Sequence, residues 1–300
     1  MAGARRAFWS ATLWSAAALA AALGVSRFPT TSKAASEAAA LQSDASRVVT
    51  IHSDSFKKDF SATVVLPSEY AKSAKAYGLI VLLHGVGGDH TDWPKMLPLA
   101  PLADKYQRII IAATAGANSW WVDYGGTNFA ETFVTGELIA SLKKQGYRIS
   151  DGGHWISGNS MGGWGALRIG LGHPELFSAV GGLSACITPA RWRGKIDRTW
   201  GLTAAMGPAG GRPALFAQQQ IAELAKRKGL VLSLLCGQQD GLFEKENNAA
   251  HAALEAASVP HQWQVLAGKH NAQFWAENLP RQLEYFQSKT GDTETQRKQR

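Results

Sequence analysis

The sequence predicts an α/β fold, with a mostly parallel central sheet, helices on both faces and one short lid-like excursion. Three observations carry this reading. Short apolar runs trade places with segments of helical periodicity through most of the 300 residues. The 31 glycines are spread over many turns between those runs rather than gathered in one tract. A chain that is 45% hydrophobic and 18% charged has enough apolar material for one large domain around a buried sheet. No internal repeat of about 20–50 residues is visible, which sets aside solenoids and propellers.

Taken in order, 48–53 and 60–66 read as two opening strands, most simply joined as a hairpin, with Pro67 ending the second. Residues 79–83 (LIVLL) form an apolar run short enough for a fully buried parallel strand, stopped by His84 and Gly85. Helix 95–106 then precedes strand 109–112, helix 129–145 precedes strand 155–157, and helix 161–171 precedes strand 179–183. Residues 187–212 break the rhythm with Pro189, Trp192, Trp200, Pro208 and a Gly-Gly pair, long enough for a partial lid or substrate wall. Helix 213–227, strand 230–235, helix 244–257, strand 261–266 and helix 271–287 resume the alternation. The polar residues 288–300 carry no apolar stripe and are expected to be disordered.

The first 40 residues read as a targeting segment, leaving 41–287 as the folded α/β domain. Residues 1–6 hold two arginines and no acid, 7–25 (AFWSATLWSAAALAAALGV) are uncharged and mostly apolar, and a Ser- and Ala-rich stretch follows. Export to the periplasm or beyond is the expectation, by a cleaved signal or with an uncleaved N-terminal membrane anchor. Arg5-Arg6 also resembles a twin-arginine leader, without the usual preceding polar residue or downstream lysine. Cys186 and Cys236, at the ends of strands expected to be neighbours, are either two buried free thiols or a disulfide that export would permit. The net charge of +8 is diffuse: its densest internal group is Arg191, Arg193, Lys195 and Arg198 in one loop, so nucleic acid is not an expected partner.

Chemistry concentrates in three loops. Gly158-Asn159-Ser160-Met161-Gly162 matches G-x-S-x-G directly after an apolar strand and at the start of a helix. A nucleophile there sits on a sharp strand-to-helix turn too crowded for side chains on either flank, and the helix N-terminus offers N–H groups to an oxyanion. Serine needs a histidine base, and eight histidines are available. In the α/β-hydrolase fold the order is nucleophile, acid, base, with the acid after a late strand and the histidine after the last. Asp240 in CGQQDG and His270 in AGKHN occupy those places, with Glu244 as the substitute acid. The oxyanion hole would combine the N–H of Met161 with that of Val86 in HGVGG, a glycine-rich loop after the first buried strand. His84 reads as a structural histidine bonded to local backbone rather than a second base. The histidines and cysteines show no spacing such as H-E-x-x-H or C-x-x-C, so no metal is expected, and the mechanism requires no cofactor.

From about 77 to 286 the chain resembles the "Putative esterase" family, which includes esterase D (S-formylglutathione hydrolase), tributyrin esterases, feruloyl esterases and mycolyltransferases. HGVGGDHTDW, SWWVDY, GNSMGGWGALRIGLGHPELFSAVGGLSA, CGQQDGLFEKEN and GKHNAQFW follow the family's order. The resemblance implies that Trp120, Trp121 and Tyr124 line the acyl or alcohol pocket, although an aromatic pair packed under a loop fits the same residues. The leader and the shorter opening region depart from S-formylglutathione hydrolase and speak against a cytosolic glutathione role. The activity implied is hydrolysis of a small-molecule or glycan-linked carboxylic ester. An acyltransferase with the same triad and a non-catalytic binding protein on the same scaffold are the competing readings. Oligomeric state leaves no signal in the sequence.

Overall fold

A computed structural model of the chain describes residues 46–189, 197–207 and 218–297. The leader at 1–40, Arg191, Arg193 and Lys195 of the basic loop, and much of the lid-like excursion lie outside those residues. Eight strands form one sheet: β1 (Ser46–Ser53), β2 (Lys58–Val65), β3 (Leu79–Leu83), β4 (Ile109–Ala113), then β7 (His154–Asn159), β8 (Phe177–Leu183), β9 (Val231–Gly237) and β10 (Gln262–Leu266). Two short strands, β5 (Asp123–Tyr124) and β6 (Asn128–Phe129), pair separately within the loop after β4. The order across the sheet is β1-β2-β4-β3-β7-β8-β9-β10. The expected hairpin β1–β2 and the β2–β4 pairing are antiparallel, and every other pairing in this sheet is parallel.

From β3 the chain first crosses to β4 on one side and later returns to β7 on the other. That reversal opens a crevice at the carboxyl ends of β3 and β7, the place where open α/β sheets bind ligands. Leu83 lies opposite Gly158 across it, so the loop starting at His84 and the turn at Ser160 are neighbours by register.

The two faces of β3 and β4 bury their side chains against different helices, as continuous apolar strands require. On one face Ile80, Leu82, Ile110 and Trp155 pack with α1 (Asp92–Met96), α2 (Ala100–Tyr106) and α9 (Ala272–Arg297), which supplies Leu279, Leu283 and Phe286. On the other, Val81, Leu83, Ile111, Ile156 and Val180 meet α3 (130–144), α4 (Met161–Gly172), α7 (Gln218–Lys228) and α8 (Glu244–Ala256). Helix α3 is composite: Ala130–Thr132, a π-helical turn at Phe133–Glu137 and Leu138–Lys144 run on from one another. Asp123 Oδ1 accepts the N–H groups of Glu131 and Thr132 at 2.9 and 3.1 Å, satisfying two donors that have no partner inside the helix. Short helices α5 (Asp197–Trp200) and α6 (Leu202–Met206) make up the described part of the excursion.

Three expectations need correction. Helix 95–106 is two helices, because the residue before Pro98 is driven into extended backbone: Leu97 has φ −155° and ψ 155°. Residues 288–297, expected to be disordered, continue α9 to Arg297. Once α9 has formed against the sheet, each further residue adds a hydrogen bond without a new nucleus, so even a polar stretch can propagate it. The disulfide alternative fails, since Cys186 and Cys236 are both free and buried. No helix among the described residues is long and apolar enough to cross a membrane.

Candidate active site

The turn after β7 is built by crowding. A Cβ on Gly158 would lie 2.7 Å from Leu83 O, and one on Gly162 would lie 2.6 Å from His84 O, both immovable backbone atoms. Between them Ser160 adopts φ 55° and ψ −118°, outside the regions an L-residue ordinarily occupies. Packing on both sides holds it there. Its N–H donates to Leu183 O at 3.0 Å, and its carbonyl accepts from Cys186 N and Trp164 N at 3.1 Å each.

His270 follows β10 and Asp240 follows β9, and the structure brings both together with Ser160. His270 Nε2 lies 3.0 Å from Ser160 Oγ, and its Nδ1 lies 2.9 Å from Asp240 Oδ2. Asp240 is fully buried, with Oδ1 accepting from the N–H groups of Leu242 and Phe243 at 3.1 and 3.0 Å. Burial pushes the Asp240 carboxyl up. The hydrogen bond and charge of His270 and the Phe243 N–H outweigh it, holding the group below the usual carboxylate range. A carboxylate kept ionised this way fixes the imidazole with its proton on Nδ1 and its lone pair on Nε2, toward the hydroxyl. Glu244, the substitute acid, sits at the start of α8 within 3.4 Å of Asn248 Nδ2 and is not the partner of His270.

Two aromatic residues that sequence reasoning missed hold the imidazole ring. Phe243 and Trp275 meet it edge-on, each with ring centroids 5.0 Å away. Both stand within a few positions of a triad candidate, in DGLF and HNAQFW, and that proximity was the available signal.

Met161 is the first residue of α4, so its N–H has no acceptor within the helix. In the loop after β3 the N–H of Gly87 is taken by Ala117 O at 2.9 Å and that of Gly88 by Gly85 O at 3.2 Å. Val86 N–H has no such partner among the described residues, and Val86 is half-buried beside the crevice. His84 is the structural histidine expected. It is buried, with Nδ1 2.8 Å from Gly85 O, and burial lowers its pKa to about 4.

The pocket assignment of the two tryptophans does not stand. Trp120 and Trp121 have no exposed surface, and the packing alternative is the one realised. Trp120 Nε1 donates to Trp200 O at 2.7 Å, and Trp121 Nε1 donates to His84 O at 3.2 Å while its ring fills the space above Gly165 of α4. Their bulk and single donor are used to brace the loop that carries Val86 against the helix that carries Met161. Tyr124 is half-buried with its ring on Gly207, where any side chain would collide with it.

One further cluster of ligating side chains lies outside this rim: His251, Glu255 and His261 have donor atoms all within 4.8 Å of one another. Its spacing matches no compact metal motif, because His261 lies beyond the end of the helix that carries His251 and Glu255.

The family model described as "Putative esterase" matches residues 53–286, most of the chain. The chain belongs to this esterase family. It is a carboxylesterase-type enzyme, in agreement with the resemblance read from its motifs. An acetyl esterase from Caldicellulosiruptor saccharolyticus is 24% identical over 270 residues, covering 81% of this chain and 98% of that protein. Among solved structures, a ferulic acid esterase superposes with TM-score 0.64 at 24% identity, covering 80% of this chain and 98% of the other. The fluorophosphonate-binding serine hydrolase F of Staphylococcus aureus superposes with TM-score 0.69 at 20% identity, with 81% and 98% covered. At these identities the superpositions establish the α/β-hydrolase fold.

Proposed function

We propose that this esterase cleaves carboxylic esters through an acyl-enzyme, with Ser160 as nucleophile, His270 as general base and then acid, and Asp240 orienting the imidazole. The observation that carries the reading is the unbroken relay of 3.0 and 2.9 Å from Ser160 Oγ through His270 to a buried Asp240. Ser160 Oγ attacks the ester carbonyl while its proton passes to Nε2. The N–H groups of Met161 and Val86 then stabilise the tetrahedral oxyanion. His270 returns the proton to the departing alcohol, and a water activated by the same nitrogen releases the acid. Small esters such as acetyl or feruloyl conjugates are the substrates to test first, since relatives of this chain carry those names. Residues 1–40 fit an export leader or N-terminal anchor, which supports a reading of this activity as exported.

Labelling with a fluorophosphonate probe and hydrolysis of p-nitrophenyl acetate and methyl ferulate test the proposal together. Both should be present in the wild-type chain and absent from Ser160→Ala. Labelling that persists in Ser160→Ala would sink the assignment.

A further inference from the structure

At the far end of α8 from the catalytic rim, three side chains converge with the donor set of a transition-metal site. His251 and Glu255 are four residues apart on α8 and therefore share a face. His261 stands just before β10, across the turn that closes α8 onto that edge strand. His261 Nδ1 lies 2.7 Å from Val259 O, so its proton is committed to the carbonyl and Nε2 is left as a bare lone pair. That lone pair faces His251 Nδ1 at 2.9 Å. An imidazole whose other nitrogen is fixed by a backbone carbonyl is the usual second-sphere arrangement of a metal-bound histidine. The His251 ring is oriented too, lying flat on Trp263 with centroids 5.2 Å apart and planes 15° from parallel.

We propose that His251, Glu255 and His261 bind a divalent transition metal of the zinc class. Two imidazoles and a carboxylate suit Zn²⁺ and disfavour Ca²⁺ or Mg²⁺, which take all-oxygen shells. Zn–N bonds of about 2.0–2.1 Å at a tetrahedral angle set two nitrogens about 3.3 Å apart. The present 2.9 Å therefore has to open by only a few tenths of an ångström. Binding moves the His251 proton from Nδ1 to Nε2, so no proton has to leave the pair. Glu255 is exposed and free to swing in as the third ligand, with solvent as the fourth. The ion would tie the end of α8 to the start of β10. Asp240 lies just ahead of α8 and His270 just beyond β10, so the tie stiffens both elements from which the catalytic loops hang. It does so at the opposite end from Ser160.

The metal-stripped full-length chain, titrated with ZnCl2 against a chromogenic chelator, should take up one equivalent at micromolar concentration, with a rise in Tm. Glu255→Gln should weaken uptake by about tenfold or more and His261→Gln should abolish it. Metal-free melting curves of both variants establish that they fold. His270→Ala, which removes the catalytic imidazole, should bind Zn²⁺ with unchanged stoichiometry and affinity. Absence of uptake by the wild-type chain would overturn the site. So would Glu255→Gln and His261→Gln both titrating like wild type, or loss of binding in His270→Ala, which would put the ion in the catalytic rim.

Discussion

The partly exposed catalytic rim and the buried ends of strands use the same side chain in opposite ways. At the rim His270 has both ring nitrogens engaged, one with a buried carboxylate and the other with a hydroxyl. At the buried strand ends, His84 just after β3 and His154 at the start of β7 each have only one nitrogen hydrogen-bonded. Nδ1 of His84 meets Gly85 O, Nδ1 of His154 accepts the Leu79 N–H at 3.2 Å, and neither Nε2 finds a partner among the described residues. Burial lowers the pKa of both buried residues to about 4, helped at His154 by the nearby Arg108 and Lys143 cations. The difference is one of pairing: His270 meets a buried carboxylate, whereas the His84 and His154 rings meet only backbone groups.

Breaking the rim should have the largest effect. Ser160→Ala should lower kcat on p-nitrophenyl acetate by about 10⁴- to 10⁶-fold with an unchanged circular dichroism spectrum, because the remaining residues act as a unit with the nucleophile. A residual rate within tenfold of wild type would show that another group attacks. Asp240→Asn should cost about 10⁴-fold by favouring the wrong imidazole tautomer. Glu244→Gln in the same assay should cost less than about threefold, and reversed magnitudes would move the acid to Glu244.

The buried half of the comparison is sharpened by acid titration of stability. The folded pKa of His84 and His154 lies below the ordinary 6.5, so between pH 6.5 and about 4 the unfolded chain binds protons that the folded one refuses. Stability is therefore full above pH 6.5 and falls as pH drops through this window, by about 3 kcal/mol for each histidine. Urea midpoints measured from pH 7.5 to 4.5 should trace that decline. His154→Asn, which keeps an acceptor for Leu79 N–H but does not titrate there, should flatten it, and an unaltered slope would assign the decline to other groups.

The smallest effect belongs to a network that braces α4. Arg168 pairs with Glu131, and His173 Nε2 lies 3.1 Å from the same carboxylate, all three partly exposed. The Glu131 hydrogen bond holds His173 above its ordinary pKa, so this contribution is complete at low pH and is lost as pH rises through the raised value. His173→Gln should change stability at pH 5.5 by about 0.5–1 kcal/mol and less at pH 8.5. The opposite pH trend would remove His173 from the network.

Local patterning reached far into this structure. Period-2 and period-3.6 signals located the main elements, and the order Ser160, Asp240, His270 along the chain was enough to expect their convergence, because parallel strands deliver successive loops to one edge. Gly158 and Gly162 were legible for the same reason: a turn from strand to helix at a switch point leaves no room for Cβ. What escaped was set by contacts between segments distant in sequence. Nothing in SWWVDY announces that both tryptophans take φ above +50° and turn inward to brace His84 and α4. The loop could equally have presented them to a substrate, and the space above Gly165 decided otherwise.

By itself, then, the sequence determined the strand and helix alternation, the sharp turn at Ser160 and the identity of the residues that reach it, since these follow from periodicity, steric demand and chain order. Only the tertiary structure decided which histidines are paired with carboxylate and which are buried without one, which aromatics brace and which are exposed, and that His261 returns to His251. Charge state and accessibility depend on what lies across the packed interface, and chain neighbours do not specify that.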